Sequence, residues 1–148
     1  MRCGDGPVDV LLVEDAPGDV RLTKEAFHHH GLVRLQHAWD GLEAMAILRR
    51  EGVYADVPRP DLIIMDLNLP RMDGREALAL IKNDPELKCI PTIILTTSDV
   101  QADILLCYKL GANCYLQKPQ HWDAFDKLIK QVNQFWLARP KLVQTAMH

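Results

Sequence analysis

The sequence predicts a doubly wound α/β fold, with one five-stranded parallel sheet covered by five helices. Three observations predict it. Four short apolar runs and one alternating segment occur along the chain. Each is followed by a segment with apolar residues at helical spacing. The runs are rich in Ile, Leu and Val on both faces, as parallel strands covered by helices on each side must be.

The elements follow in order. Val8–Val13 (VDVLLV) is the first strand, and Pro17–His30 the first helix, with Gly31 as its natural stop. Val33–Ala38 (VRLQHA) alternates and suits a strand nearer a sheet edge. Asp40–Arg50 carries Leu42, Met45, Ala46 and Leu48 at helical spacing and stops at Gly52. Glu51–Pro60 is a long polar loop with two prolines. Asp61–Leu67 (DLIIMDL) is the third strand, followed by a helix over Arg75–Asn83 with Ala77, Leu78 and Ile81 on one face. Thr92–Thr97 (TIILTT) is the fourth strand. The helix Asp99–Leu110 takes Ser98 as its N-cap and ends at Gly111. Cys114–Gln117 (CYLQ) reads as a last buried strand. Trp122–Leu137 closes the chain with Phe125, Leu128, Ile129, Val132 and Phe135–Trp136 as a buried stripe. One domain over residues 7–137 is expected, followed by a tail over 138–148.

Composition bounds the rest. A chain of 148 residues with 48% hydrophobic and 25% charged residues is an ordinary single globular domain. A net charge of −3 with no basic run gives no general attraction to nucleic acid or to an anionic membrane. No stretch is long and apolar enough to span a bilayer, and the N-terminus lacks a signal pattern, so a cytoplasmic location is expected. The four cysteines (Cys3, Cys89, Cys107, Cys114) form no CxxC pair and read as small apolar residues. Three adjacent histidines, His28–His30, point in different directions around a helix and cannot all serve one compact metal site. They read as a solvated helix end. His37 and His121 show no partner in the sequence.

In an open doubly wound sheet, ligands sit outside the carboxyl ends of the strands. The residues there are Glu14 and Asp15 after the first strand, Asp66 on the third, Thr96, Thr97 and Ser98 at the fourth, and Lys118–Pro119 after the fifth. Three converging carboxylates repel unless a cation joins them. Mg²⁺, a hard ion that takes oxygen ligands, answers that need. Asp66 is then a carboxylate nucleophile toward a phosphoryl group, with Lys118 as a point charge and Thr96 as a hydroxyl donor. Each residue alone has a plainer role as a helix cap, turn residue or solvated side chain. The specificity lies in their joint arrangement at four strand ends.

The motifs LLVEDAPGD, PDLIIMDLNLPRMDGREAL, IPTIILTTS and GANCYLQKP resemble the receiver domains of two-component response regulators, from about Asp9 to Leu137. The intervals of 30 positions from Asp66 to Thr96 and 22 from Thr96 to Lys118 resemble the family's. The resemblance implies a flavodoxin-like receiver fold and a role for each residue. Asp66 is the phosphoacceptor. Asp15 ligates Mg²⁺, or another divalent cation such as Mn²⁺, with Glu14 acting through water and Asn68 offering its backbone carbonyl. Thr96 and Tyr115 form the switch, and Lys118 pairs with the phosphoryl group through a segment whose Lys118–Pro119 bond is cis. The donor is a histidine kinase. The Gly52–Pro60 loop, DLNLPRMDGREALALIKNDPELK and LTTS look like small regulators that serve phytochrome-type kinases. With no output module after Leu137, output is expected through protein contact or return of the phosphoryl group in a relay. Of Ile104, Leu105, Tyr108, Phe125, Phe135 and Trp136 on the last two helices, some are expected to face the core and others to form a homodimer face.

Two rivals share parts of this chemistry. A hydrolase of the haloacid dehalogenase type also uses Asp, Mg²⁺, Thr or Ser and Lys, but carries its nucleophile at the end of the first strand in a DxDx(T/V) pattern. Here that strand ends in VEDAP. A silent, unphosphorylated receiver usually lacks the acidic pair, the Asp or the Lys, and this chain has them all. A phosphoacceptor switch that catalyses its own phosphotransfer and dephosphorylation is therefore expected, and not a turnover enzyme.

Overall fold

The computed structural model describes residues 8–31 and 33–137. The expected domain edge at residue 7 and the tail over 138–148 lie outside them. The elements are β1 (Val8–Val13), α1 (Pro17–His30), β2 (Val33–Ala38), α2 (Gly41–Leu48), a 3-10 turn (Gly52–Tyr54), β3 (Leu62–Met65), α3 (Gly74–Asn83), β4 (Thr92–Thr96), α4 (Gln101–Leu110), β5 (Cys114–Gln117) and α5 (Trp122–Val132), which runs into a π-helical turn (Asn133–Leu137). All strand pairs are parallel and the sheet order is β2-β1-β3-β4-β5.

The period of two along each strand divides the core into two layers. Leu11 and Val13 of β1, Ile63 and Met65 of β3 and Ile94 of β4 face α2, α3 and α4. Val10, Leu12, Leu62, Ile64, Ile93 and Leu95 face α1 and α5. Burying each such Leu, Ile or Val stabilises the fold by about 1.5–3 kcal/mol, so these three central strands carry most of the sheet's stability.

Several sequence expectations shift at the edges. β5 is half-buried, not fully buried, because it is the sheet's edge strand beyond β4. In α2 the buried residues are Ala44, Met45, Ile47 and Leu48, while Leu42 is exposed: the helix starts at Asp40, which caps it by accepting from the Glu43 N–H, and this sets the phase. α4 begins at Gln101 after Val100, and Ser98 does not cap it. The Ser98 hydroxyl instead donates to Asp103 at 2.8 Å. Phe135 leaves the α5 stripe and is exposed. The polar loop is anchored: Tyr54 donates to Glu43, and Arg59 bonds the Leu48 carbonyl and Glu86.

Candidate functional site

The site forms where β1, β3, β4 and β5 end. Parallel pairing aligns those ends, since Val13 lies opposite Met65, Met65 opposite Ile94 and Thr96 opposite Gln117. The next residue along therefore places Glu14, Asp66 and Lys118 together. The Lys118 ammonium lies 2.5 Å from Glu14 Oε1, 2.8 Å from Asp66 Oδ2 and 2.8 Å from Asp19 Oδ2. Its side chain is only 6% exposed. Among these residues Glu14 and Asp66 are buried and Asp15 is exposed.

Sequence reasoning missed Asp19 as a partner of Lys118. It occupies the first turn of α1, where an acid ordinarily complements the helix dipole. Its place in the APGD segment, one turn beyond the Glu14–Asp15 pair, was the available signal.

Electrostatics in this cleft are lopsided. Burial pushes the Glu14 carboxyl up to about 7, against the pull of Lys118, and the charge of Asp66 adds to the rise. Burial also works to raise Asp66, but hydrogen bonds from Lys118 and Thr96 prevail and hold it below the usual carboxylate range. Burial works to lower Lys118, but its bonds to Asp19, Asp66 and Glu14 prevail and hold it well above the usual range. The cleft thus favours the anionic form of Asp66, while burial works toward the protonated form of Glu14.

One ammonium does not neutralise this set. Glu14, Asp15 and Asp66 each present an oxygen, and the three atoms lie within 4.8 Å of one another. Receiver domains bind Mg²⁺, and an all-oxygen donor set with one exposed member open to water fits a hard dication that retains waters. Asn68 borders the set, with its N–H 3.4 Å from Asp66 Oδ1.

The supporting loop is closely fitted. Asp66 Oδ1 accepts from the Leu67 N–H at 2.6 Å. Gly74 donates to the Leu67 carbonyl at 2.8 Å, and a Cβ there would lie 2.2 Å from the Asp66 carbonyl oxygen. Thr96 is fully buried, and its carbonyl accepts from the Lys118 N–H at 2.7 Å. Half-buried Tyr115 donates its hydroxyl to the Ser98 carbonyl at 2.9 Å. The Asp103 that receives Ser98 also receives Arg75 of α3 at 2.8 Å. A continuous chain of polar contacts thus joins α3, α4, the segment after β4, and β5.

Three expectations need correction. No peptide bond among the described residues is cis, so Lys118–Pro119 is trans. The trans form is the lower in energy for X–Pro by about 0.5–1 kcal/mol, and Lys118 reaches the acids from it. His37 has a partner: its Nε2 donates to the Glu14 carbonyl at 2.8 Å, and its ring packs edge-on against Trp39. His29 and His30 are not merely solvated, since both reach Asp126 of α5. Of the cysteines, Cys107 is buried, Cys114 half-buried and Cys89 exposed, all as free thiols; Cys3 lies outside the described residues.

A doubly wound sheet whose strand ends gather carboxylates and one lysine in this way defines a phosphoacceptor switch. The sequence matches the response regulator receiver domain family over residues 10–133, and the chain belongs to that family. It is 45% identical over 135 residues to the response regulator Rcp1 of Synechocystis sp., spanning 88% of this chain and 90% of that one. The fold superposes with a TM-score of 0.86 on the phosphorylated cyanobacterial phytochrome response regulator RcpA, at 45% identity, covering 89% of this chain and 95% of that one. The Mn²⁺-bound form of Rcp1 gives 0.84, also at 45% identity, covering 88% and 95%. The sequence-based expectations of a receiver fold and of a divalent cation are borne out at this level.

Proposed function

We propose that the chain is a single-domain response regulator, with residues 7–137 as the receiver and 138–148 as a tail, that accepts a phosphoryl group on Asp66 from a phytochrome-type histidine kinase. The observation that carries this reading is the contact of Asp66 Oδ2 with the Lys118 ammonium at 2.8 Å inside an acid cluster of dication size. The names of Rcp1 and RcpA support the choice of kinase class.

Asp66, anionic at neutral pH, attacks the phosphorus of a phosphohistidine. The new bond is P–O to the carboxylate, the P–N bond breaks, and the imidazole leaves with the electron pair and takes a proton. Lys118 draws toward a phosphoryl oxygen, and the Thr96 hydroxyl turns to donate to another. Glu14, Asp15, Asp66 and the Asn68 carbonyl would hold Mg²⁺ or Mn²⁺, which when bound supplies positive charge against the phosphoryl oxygens. Attack of water on the phosphorus later breaks the same P–O bond, releasing phosphate and restoring the carboxylate. Thr97 and Ser98 border the path of that water. Movement of Thr96 frees space for Tyr115, which shifts the α4–β5–α5 face between two packings.

Exposed Val100, Leu105, Leu106 and Tyr108 on and before α4, and an open groove of about 520 Å³ between β5 and α5, support output by protein contact through a homodimer or a downstream phosphotransfer protein. A cytoplasmic place follows from that kinase partnership; among the described residues no helix is long and apolar enough to cross a membrane.

Incubation with Mg²⁺ and acetyl phosphate tests the acceptor. The expected result is a one-phosphoryl mass gain that Asp66→Asn abolishes. A gain that persists in that variant moves the acceptor elsewhere. Light scattering that gives the mass of one chain, with and without a phosphate mimic, removes the dimer.

A further inference from the structure

The last turn of α1 and the first half of α5 bring together three ligand groups that the phosphoryl chemistry does not use. His30 Nε2 lies 2.9 Å from Asp126 Oδ1, and His29 Nδ1 lies 3.4 Å from the same oxygen. One ligand atom from each of the three residues lies within 4.8 Å of those of the other two. Bonds of about 2.05 Å to a common metal set ligand–ligand separations of roughly 2.9 Å in an octahedral and 3.3 Å in a tetrahedral arrangement. The two separations to Asp126, 2.9 and 3.4 Å, fall in this range, so a small adjustment of the exposed His29 ring brings the set to one geometry.

We infer that His29, His30 and Asp126 form a second metal site, selective for a borderline dication of the Zn²⁺ type over Mg²⁺. Two imidazole nitrogens and one carboxylate oxygen suit Zn²⁺, Cu²⁺, Ni²⁺ or Co²⁺, whereas Mg²⁺ prefers oxygen alone. Adjacent histidines on a helix normally diverge, but here α1 ends at Gly31, the two ring centroids are 4.9 Å apart, and one oxygen of Asp126 on the neighbouring helix meets both rings. The frame is held in advance. Asn133 of the π-helical turn donates to the His30 carbonyl at 2.8 Å, tying the end of α1 to the end of α5. The His30 side chain is 16% exposed and Asp126 20%, while His29 is 68% exposed and leaves room for water ligands. The negative end of the α1 dipole favours a cation there. The site is distinct from the Asp66 cluster: Asp19 and His30 stand at opposite ends of α1, about 16 Å apart along the axis. A bound ion cross-links α1 to α5, a helix of the proposed output face.

The test is calorimetric titration of Zn²⁺ into the full chain with Mg²⁺ in excess to occupy the acid cluster, repeated with Co²⁺ for its visible absorption. One ion per chain is expected, with Co²⁺ bands of nitrogen–oxygen ligation. His30→Ala, His29→Ala and Asp126→Asn should each weaken Zn²⁺ binding about tenfold or more, while acetyl phosphate still labels Asp66 as in the wild type. His29 is exposed, so its variant keeps the test valid if the others fold poorly. Absence of Zn²⁺ binding, or affinity unchanged in the folded variants, overturns the assignment.

Discussion

Asp19 Oδ2 lies 2.8 Å from the Lys118 ammonium, so an acid outside the candidate metal set holds the lysine that an acyl phosphate on Asp66 would need. Asp19 competes with the phosphoryl group for that ammonium and also repels it. Asp19→Asn should therefore favour the phosphorylated form. The Asp19 side chain is 34% exposed, and a partly screened pair of this kind is worth up to about 1 kcal/mol. The phosphorylated fraction at fixed acetyl phosphate should rise about two- to fivefold, read by intact mass. A fraction equal to or below the wild type removes Asp19 from this role.

Lys118→Met leaves Glu14 and Asp66 buried without their cation. Removing one partner of a buried ion pair costs about 3–5 kcal/mol. Urea denaturation in EDTA should show a loss of that order. Mg²⁺ supplies replacement charge to the same carboxylates, so it should stabilise the variant more than it stabilises the wild type. Equal Mg²⁺ stabilisation of both chains means that lysine and metal do not share those acids.

The sheet, the element order and the convergence of Glu14, Asp15, Asp66, Thr96 and Lys118 were legible because each depends on local pattern: strand period, helix stops, and polar residues placed where apolar runs end. Asp19 was not, because its partner is 99 positions away and its own position is already explained by helix-dipole chemistry. The Arg75–Asp103–Ser98–Tyr115 chain was likewise hidden, since Ser98 reads locally as an N-cap and its actual partner depends on where α4 begins. The pairing of His29 and His30 with Asp126 depends on how α1 packs on α5, which helical geometry alone does not give.

Gly74 is required by space. A Cβ 2.2 Å from the Asp66 carbonyl oxygen forces the β3–α3 loop to move. Gly74→Ala should cost about 1–3 kcal/mol. It should also slow phosphorylation by tenfold or more, because about 1 Å of misplacement at a reacting group can cost roughly a hundredfold. Initial rates of mass gain with acetyl phosphate check this, and a wild-type rate in a folded variant contradicts it.

Asp40 gives a pH signature. Burial works to raise its carboxyl, but Arg71 and the Glu43 N–H prevail and hold it below the usual range. A depressed carboxylate contributes stability above its unfolded value of 3.8 and loses it as pH falls through the lower folded value. Asn caps a helix about as well as Asp, so Asp40→Asn keeps the cap and removes the charge. The variant should be less stable than the wild type at pH 7, and the two should converge as the pH falls through the lowered folded value of Asp40. A difference that persists in acid assigns the loss to packing.

Tyr115→Phe removes one hydrogen bond and almost no volume. The lost bond ties β5 to the Ser98 carbonyl in the segment that follows Thr96. Such a bond is worth about 1 kcal/mol net, which corresponds to about a fivefold change in a local opening equilibrium. Amide exchange over residues 98–104 should therefore quicken about fivefold in the unphosphorylated chain. The proposed chemistry at Asp66 calls on Lys118 and the acid cluster but not on this hydroxyl, so labelling by acetyl phosphate should stay within about twofold of the wild type. If exchange in that segment is unchanged, Tyr115 is a passive edge-strand aromatic. If labelling is abolished, Tyr115 belongs to the phosphoacceptor machinery itself and the separation of switch from chemistry fails.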